Sequence, residues 1–309
     1  MTAKRIGFMF AGQGAQTVGM GADLAQASPA AKMVFEQADN ALDMPLSKTC
    51  FEGPLETLTE SRYCQPAIYT TSLACLAALQ ETCPVEPVVC GGLSLGEFAA
   101  LQAAGAFSFE DGLQLVARRG ALMQEACRNT DGAMAAVLNA VPALISETCE
   151  KHDIDIANLN CPGQTVISGT RAGIDAAVSD LKTAGVARVI MLEVDGAFHS
   201  RLMTPAAENF HPVLEQTPIN KPKYAVVQNY VGTTVENPAE IKMNLARQIT
   251  GSVRWENCVR SMLKQNVDLL IELGPGKVLS GFMRRIDKTV PVSNVCGLES
   301  LHTVCEELA

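Results

Sequence analysis

The sequence predicts an α/β protein whose large core is interrupted by a small inserted subdomain. Three observations predict it. A short apolar run, "RIGFMF" (Arg5–Phe10), leads straight into a glycine loop, "AGQGAQ". A second, "EPVVCG" (Glu86–Gly91), leads into Gly92-Leu93-Ser94-Leu95-Gly96 and then into a helical pattern. The stretch from about Gly132 to Val194 reads strand, helix, strand, strand, helix, strand. That order is the ferredoxin-like arrangement. A chain of 309 residues has room for a core with an insert, and 48% hydrophobic against 18% charged residues suits a well-buried interior.

Each element has its own reason. Arg5–Phe10 is a continuous apolar run bounded by a glycine loop, which reads as a buried strand. A helical pattern follows from about Ser28. After Glu86–Gly91 the spacing fits G-x-S-x-G, a sharp turn from strand to helix. Both glycines are required there, because a Cβ would collide with the neighbouring strand or helix. Ser94 is then expected in a strained backbone with its hydroxyl exposed. "LGEFAALQAAGAF" reads as the helix that follows.

"SFEDGLQLVARRGALMQEAC" is a helix with Ser108 and Asp111 forming a capping-box-like start. Leu115, Arg119 and Leu122 share one stripe, while Asp111, Gln114, Arg118 and Glu125 share a polar one. Arg118 therefore points to solvent and Arg119 to the interior, where a guanidinium needs an anionic partner. In the insert, "GAMAAVL", "IDIANLN", "QTVISG" and "ARVIMLEV" are strands, and "VPALISETCEKH" and "RAGIDAAVSDLKTAG" are helices. The chain returns through "DGAFHSRLM" to helices, then to the strand Asp268–Leu273, the loop "GPGK" and the helix "VLSGFMRRI". The expected division is 1–130 and 198–309 for the core, with 131–197 as the small subdomain.

Composition excludes several classes. A net charge of −9 argues against a nucleic-acid or anionic-membrane surface. Eleven cysteines with no C-x-x-C pair read as reduced thiols in a cytoplasmic protein, and no zinc spacing is present. The apolar run near the N-terminus is too short for a signal peptide, and no run approaches the roughly 20 residues of a membrane span.

A nucleophilic serine needs a base. Of the four histidines, His152 sits in a charged helix end, His211 precedes Pro212 in a helical stretch and His302 lies near the C-terminus. His199 instead follows a buried strand in a loop of small residues, where a catalytic side chain is commonly mounted. A group titrating near neutrality is expected from it. No acidic residue declares itself as its orienter, and Asp195 is too near in the chain. A backbone or amide oxygen could hold the imidazole instead. The "AGQGAQ" loop has Thr17 where a dinucleotide loop needs its third glycine, so Gln13 suits an oxyanion hole better than a nicotinamide site.

The ordered motifs "GQGAQ", "QPAI", "GLSLGE", "RRGALMQ", "NCPGQTVISG", "GAFHSRLM", "SVRW" and "ELGPGKVL" run along the whole chain. In them the chain resembles the malonyl-CoA:acyl carrier protein transacylases of bacterial fatty acid synthesis. The resemblance implies an α/β-hydrolase-like core with a ferredoxin-like insert. It implies Ser94 as nucleophile, His199 as base, and Gln13 with the Leu95 N–H as oxyanion hole. Arg119 would bind the malonyl carboxylate, and the backbone carbonyl of Gln248 would orient the histidine. Phe198 resembles malonyl-selective members, since its ring would crowd an α-methyl group. The sequence departs from many members at Ala11, Ala15 and Leu93, the last replacing a histidine.

The implied partners are malonyl-CoA and an acyl carrier protein, with no cofactor, metal, nucleic acid or membrane, and a monomer is expected. A free-standing acyltransferase of a polyketide synthase is an alternative, as is an inactive carrier-binding module. Lys277, Arg284, Arg285 and Lys288 are candidates for a basic docking patch, against the simpler reading of a solvated charged face.

Overall fold

The computed structural model describes residues 4–309. The core begins with β1 (Ile6–Phe10), then α1 (Ala22–Ala27), α2 (Pro29–Leu42), α3 (Leu46–Glu52), α4 (Leu55–Thr59) and α5 (Ser61–Thr82). β2 (Pro87–Gly92), α6 (Gly96–Ala103) and α7 (Phe109–Arg128) follow. The insert contributes β3 (Gly132–Leu138), α8 (Pro142–Lys151), β4 (Asp155–Cys161), β5 (Gln164–Thr170), α9 (Arg171–Thr183) and β6 (Arg188–Met191). The chain then returns to the core with α10 (Thr204–Gln216), β7 (Ala225–Gln228), β8 (Thr233–Thr234), α11 (Pro238–Gln248) and α12 (Trp255–Leu263). It closes with β9 (Leu269–Leu273), α13 (Val278–Ile286), β10 (Val292–Val295) and α14 (Leu298–Leu308).

The large sheet has the order β10-β9-β1-β2-β7-β8, parallel except at its β8 edge. Helices cover both faces, which is why β1 and β9 are buried at every residue; β1 reads as an unbroken apolar run and β9 as one broken only by the buried Glu272. The small sheet is antiparallel, β4-β5-β3-β6. Counted within the insert, that is the order 2-3-1-4, which is ferredoxin-like. Alternation along β3 divides its faces. Ala133, Ala135 and Val137 pack with Ile145, Ile174 and Leu181 of α8 and α9, while Met134 and Ala136 turn towards the large core.

Local chemistry sets the helix starts. Ser28 caps α2 by accepting from the Ala31 N–H, with Pro29 in the first turn. Ser108 caps α7 by accepting from the Asp111 N–H at 3.0 Å, and its hydroxyl donates back to the Asp111 carboxylate at 2.6 Å. α5 and α7 approach closely because Gly112 and Gly120 leave room. A Cβ at Gly112 would stand 2.1 Å from the Tyr69 hydroxyl, and one at Gly120 would stand 2.3 Å from the Ser61 carbonyl oxygen.

The last insert strand is shorter than its apolar run predicts. β6 ends at Met191, and Leu192–Asp195 turn away to line the cleft. The chain enters and leaves the insert through one narrow neck. A Cβ at Gly132 would lie 2.6 Å from the Ala197 nitrogen, and one at Gly196 would lie 2.3 Å from Cys127 Sγ.

Candidate active site

The turn after β2 is as tight as its glycines require. A Cβ on Gly92 would stand 2.0 Å from the Gly96 carbonyl, and one on Gly96 would stand 2.2 Å from the Phe10 carbonyl oxygen. Between them Ser94 has φ 51°, the left-handed region that a non-glycine residue occupies only when its surroundings enforce it. Two contacts do so. The Leu93 N–H donates to Phe10 O of β1 at 3.2 Å, and the Ser94 N–H donates to Asn229 Oδ1 at 2.5 Å.

His199 is also held at a positive φ, 55°, and is buried. Its Nε2 lies 2.8 Å from Ser94 Oγ, and its Nδ1 lies 2.8 Å from the Gln248 carbonyl oxygen at the end of α11. A carbonyl only accepts, so Nδ1 carries the proton and Nε2 offers its lone pair to the Ser94 hydroxyl. Burial first, then the nearby Arg119 charge, pulls the imidazole down from 6.5 to about 4. The imidazole is thus neutral near neutral pH, with the Nε2 lone pair facing the Ser94 hydroxyl.

Arg119 is fully buried on α7. Its Nη1 donates to Gln65 Oε1 at 2.8 Å, and its Nη2 donates to Ser94 Oγ and Gln248 Oε1, both at 3.0 Å. Its Nε has no partner, and among the described residues no ion pair includes it. Burial lowers this guanidinium to about 10, partly offset by Glu97, so it stays charged near neutrality. Arg119 is thus a buried cation with only neutral direct partners, one donor on the Ser94 hydroxyl and another, Nε, without a partner.

Residues 7–298 match the acyl transferase domain family. The malonyl CoA-acyl carrier protein transacylase of Bacillus subtilis is 41% identical over 312 residues, covering 98% of each chain. The chain belongs to the malonyl CoA-acyl carrier protein transacylase family. The solved transacylase of Clostridium perfringens superposes with a TM-score of 0.93 at 40% identity, over 98% of this chain and 97% of that one. A malonyl-transacylase solved in complex with its type II polyketide acyl-carrier protein superposes with a TM-score of 0.95 at 35% identity, over 98% and 99%.

The transacylase cleft lies between core and insert. It encloses about 270 Å³. Gln13, Leu93, Ser94, Phe198 and His199 line it from the core side, and Met134, Asn158, Asn160 and Val166 from the insert. Arg119 and Gln248 lie behind Ser94 rather than on the cleft wall. Gln13 Nε2 donates to Ser61 Oγ at 3.1 Å, and Gln13 Oε1 accepts from Gln65 Nε2 at 3.4 Å. The Leu95 N–H, just before α6, has no hydrogen-bond partner among the described residues.

His152 pairs with Asp180 at 2.7 Å, and His211 and His302 are exposed elsewhere. Lys277, Arg284, Arg285 and Lys288 are all exposed on or beside α13, whose Val278 and Phe282 reach the cleft. Among the described residues no cluster of three or more His, Cys, Asp or Glu could hold a metal.

Sequence reasoning missed three residues of this network. Gln65, in the "QPAI" motif, joins Arg119 to Gln13. Asn229 grips the Ser94 backbone from the end of β7. Glu97 lies fully buried three residues after Ser94, the centre of the elbow. Only Glu97 left a signal, a lone carboxylate in the first turn of a largely apolar helix.

Proposed function

We propose that this chain transfers the malonyl group of malonyl-CoA to the pantetheine thiol of an acyl carrier protein through a malonyl-Ser94 intermediate. The observation that carries the reading is a single oxygen: Ser94 Oγ lies 2.8 Å from the base nitrogen of His199 and 3.0 Å from Nη2 of a buried arginine. A plain esterase has a use for the first contact and none for the second.

Ser94 Oγ attacks the thioester carbonyl carbon while its proton passes to His199 Nε2. The Arg119 N–H steadies negative charge on the oxygen as it forms. The tetrahedral oxyanion falls to the free Leu95 N–H and the Gln13 amide. As the C–S bond breaks, the CoA sulfur takes the proton from His199. Once Oγ is an ester oxygen it accepts poorly, and the Arg119 fork turns to the malonyl carboxylate. The carrier's thiol then gives its proton to His199 and attacks the ester carbonyl; as the acyl C–O bond to Ser94 breaks, Oγ takes that proton back from His199 and the malonyl group leaves as the carrier's thioester. The Gln248 carbonyl fixes the imidazole throughout, in the place of a triad acid.

Phe198 narrows the cleft against an α-branched acyl group. The amides of Asn158 and Asn160 face the cleft from the insert, and Asn160 Oδ1 is buried without a protein partner. They suit an amide-bearing arm such as pantetheine. The chemistry is carried by this chain's own residues, with CoA as product. Eleven unpaired thiols fit a reducing, cytoplasmic setting.

The test is incubation with labelled malonyl-CoA and mapping of the modified peptide. Label on Ser94, absent from Ser94→Ala, is the expected result. An unlabelled native protein would leave only a carrier-binding module. A second reading, service to a polyketide carrier, is favoured by the likeness to the type II polyketide transacylase. Comparing kcat/KM for fatty-acid and polyketide carrier proteins separates the two.

A further inference from the structure

We infer that Glu97, in its ionised form, is a positioning residue that ties the nucleophile, the base and the arginine to one carboxylate. Glu97 is fully buried on α6 and touches none of the reacting atoms. Its Oε2 accepts from the Asn229 N–H at 2.7 Å and from Gln248 Nε2 at 2.9 Å, and its Oε1 accepts from Gln228 Nε2 at 3.1 Å.

Two of these partners, Asn229 and Gln248, lead to the site. Asn229 presents its Oδ1 to the Ser94 N–H and its Nδ2 to the Gly92 carbonyl at 2.8 Å, gripping the strained turn on both sides of Leu93. Gln248 is gripped at three points. Its Nε2 faces Glu97 and the Ser94 carbonyl, its Oε1 accepts from Arg119, and its main-chain carbonyl accepts from His199 Nδ1. Glu97, together with the Ser94 carbonyl and the Arg119 donor, therefore sets which way the Gln248 amide points. With the amide reversed, an NH₂ group would face the guanidinium and the Arg119 contact would be lost.

Only an ionised carboxylate fits this set, because all three neighbours donate. A proton on Oε2 would oppose Asn229 or Gln248. A proton on Oε1 would require Gln228 to turn, breaking the 2.8 Å bond from Asn244 Nδ2 to Gln228 Oε1. Besides its hydrogen-bond partners, the titratable groups whose charge bears on Glu97 are Arg119 from α7 and Cys258 from α12, the latter a neutral thiol because burial raises it. Burial lifts the Glu97 carboxyl from 4.5 to about 7, against the pull of its hydrogen bonds and of Arg119. Its folded value is raised, so the acceptor is lost as pH falls through that region, and the site loosens with it.

The inference rests on the proposed malonyl transfer, and the experiment separates the two. The readout is the single-turnover rate of Ser94 malonylation, followed by intact mass after acid quench across pH. A native protein that never gains the malonyl mass defeats the functional reading itself. With malonylation present, the native rate should fall between about pH 8 and pH 6, well above the range set by His199. Glu97→Gln, nearly isosteric, should lower the rate at pH 8 by roughly 10²-fold, the scale of a small misplacement at a reacting centre, and should abolish that decline. Glu97→Ala should be at least as slow. A folded Glu97→Gln with the native rate and the native decline overturns the inference. So does a native rate that stays flat between about pH 5.5 and 8.5, whatever the variants do.

Discussion

At the scale of single residues, Arg119 and His199 make separable predictions. Hydrogen bonds to charged groups are worth about 1.5–3 kcal/mol each, so the two-pronged hold proposed for Arg119, taken near the lower end of that range, contributes roughly 3–4 kcal/mol of malonyl preference. Arg119→Ala should lower the ratio of malonyl to acetyl transfer by a few hundredfold, measured with paired CoA thioesters. Arg118→Ala, on the exposed side of α7, should leave the ratio unchanged. His199→Ala should slow transfer by roughly 10²–10⁴-fold. The sequence leads one to expect a histidine titrating near neutrality, but burial and Arg119 move it to about 4. The folded value lies below the unfolded 6.5, so the unfolded chain binds the extra proton. Stability from the neutral imidazole is complete above pH 6.5 and is lost as pH falls towards 4. Thermal melts of native protein and His199→Gln across that window should converge or cross. Ser94, His199 and Arg119 were legible because each breaks a local pattern: a serine between glycines, a histidine in a small-residue loop, an arginine on an apolar stripe. Gln65 and Asn229 break none. Their roles arise only when α5 and β7 are folded against the elbow.

At the scale of elements, the elbow and the α7 cap differ sharply in what one substitution does. A methyl on Gly96 meets the Phe10 carbonyl oxygen at 2.2 Å, backbone against backbone, with no side chain free to yield. Gly96→Ala should cost on the order of 4 kcal/mol or more, and calorimetry should find it far less stable or unfolded. Ser108→Ala removes one cap and should cost about 1 kcal/mol, with activity retained. Most of the strands around the site could be read from sequence because burial on both faces writes an uninterrupted apolar run. β7, β8 and β10 could not. They are four, two and four residues long, too short for any period to register. The long helix α5 was hidden as well, because it is buried nearly all round and has little amphipathic contrast.

At the scale of the whole molecule, an acidic chain must still receive a carrier protein. If α13 forms the docking face, Lys277→Glu and Arg284→Glu should raise KM for the carrier protein several-fold while leaving KM for malonyl-CoA unchanged, and added salt should erase the difference. The strand order of the large sheet lay beyond sequence reading, since contacts such as β1 with β9 join residues more than 260 positions apart. The four strands of the small sheet were readable because their ladders with one another are local, although a bridge from Asn158 to Val253 ties β4 to the core. The neck of the insert has a practical consequence. β3 and β6 lie side by side, and the chain is pinched together at Gly132 and Gly196, so the ends of the small subdomain adjoin. Such a segment can be exchanged between relatives without re-threading the core. A chimera carrying a relative's cassette should keep its own nucleophile, base and arginine, and inherit the donor's half of the cleft wall. Evolution could then retune the arm-binding wall in one recombination event while the chemistry stays where it was.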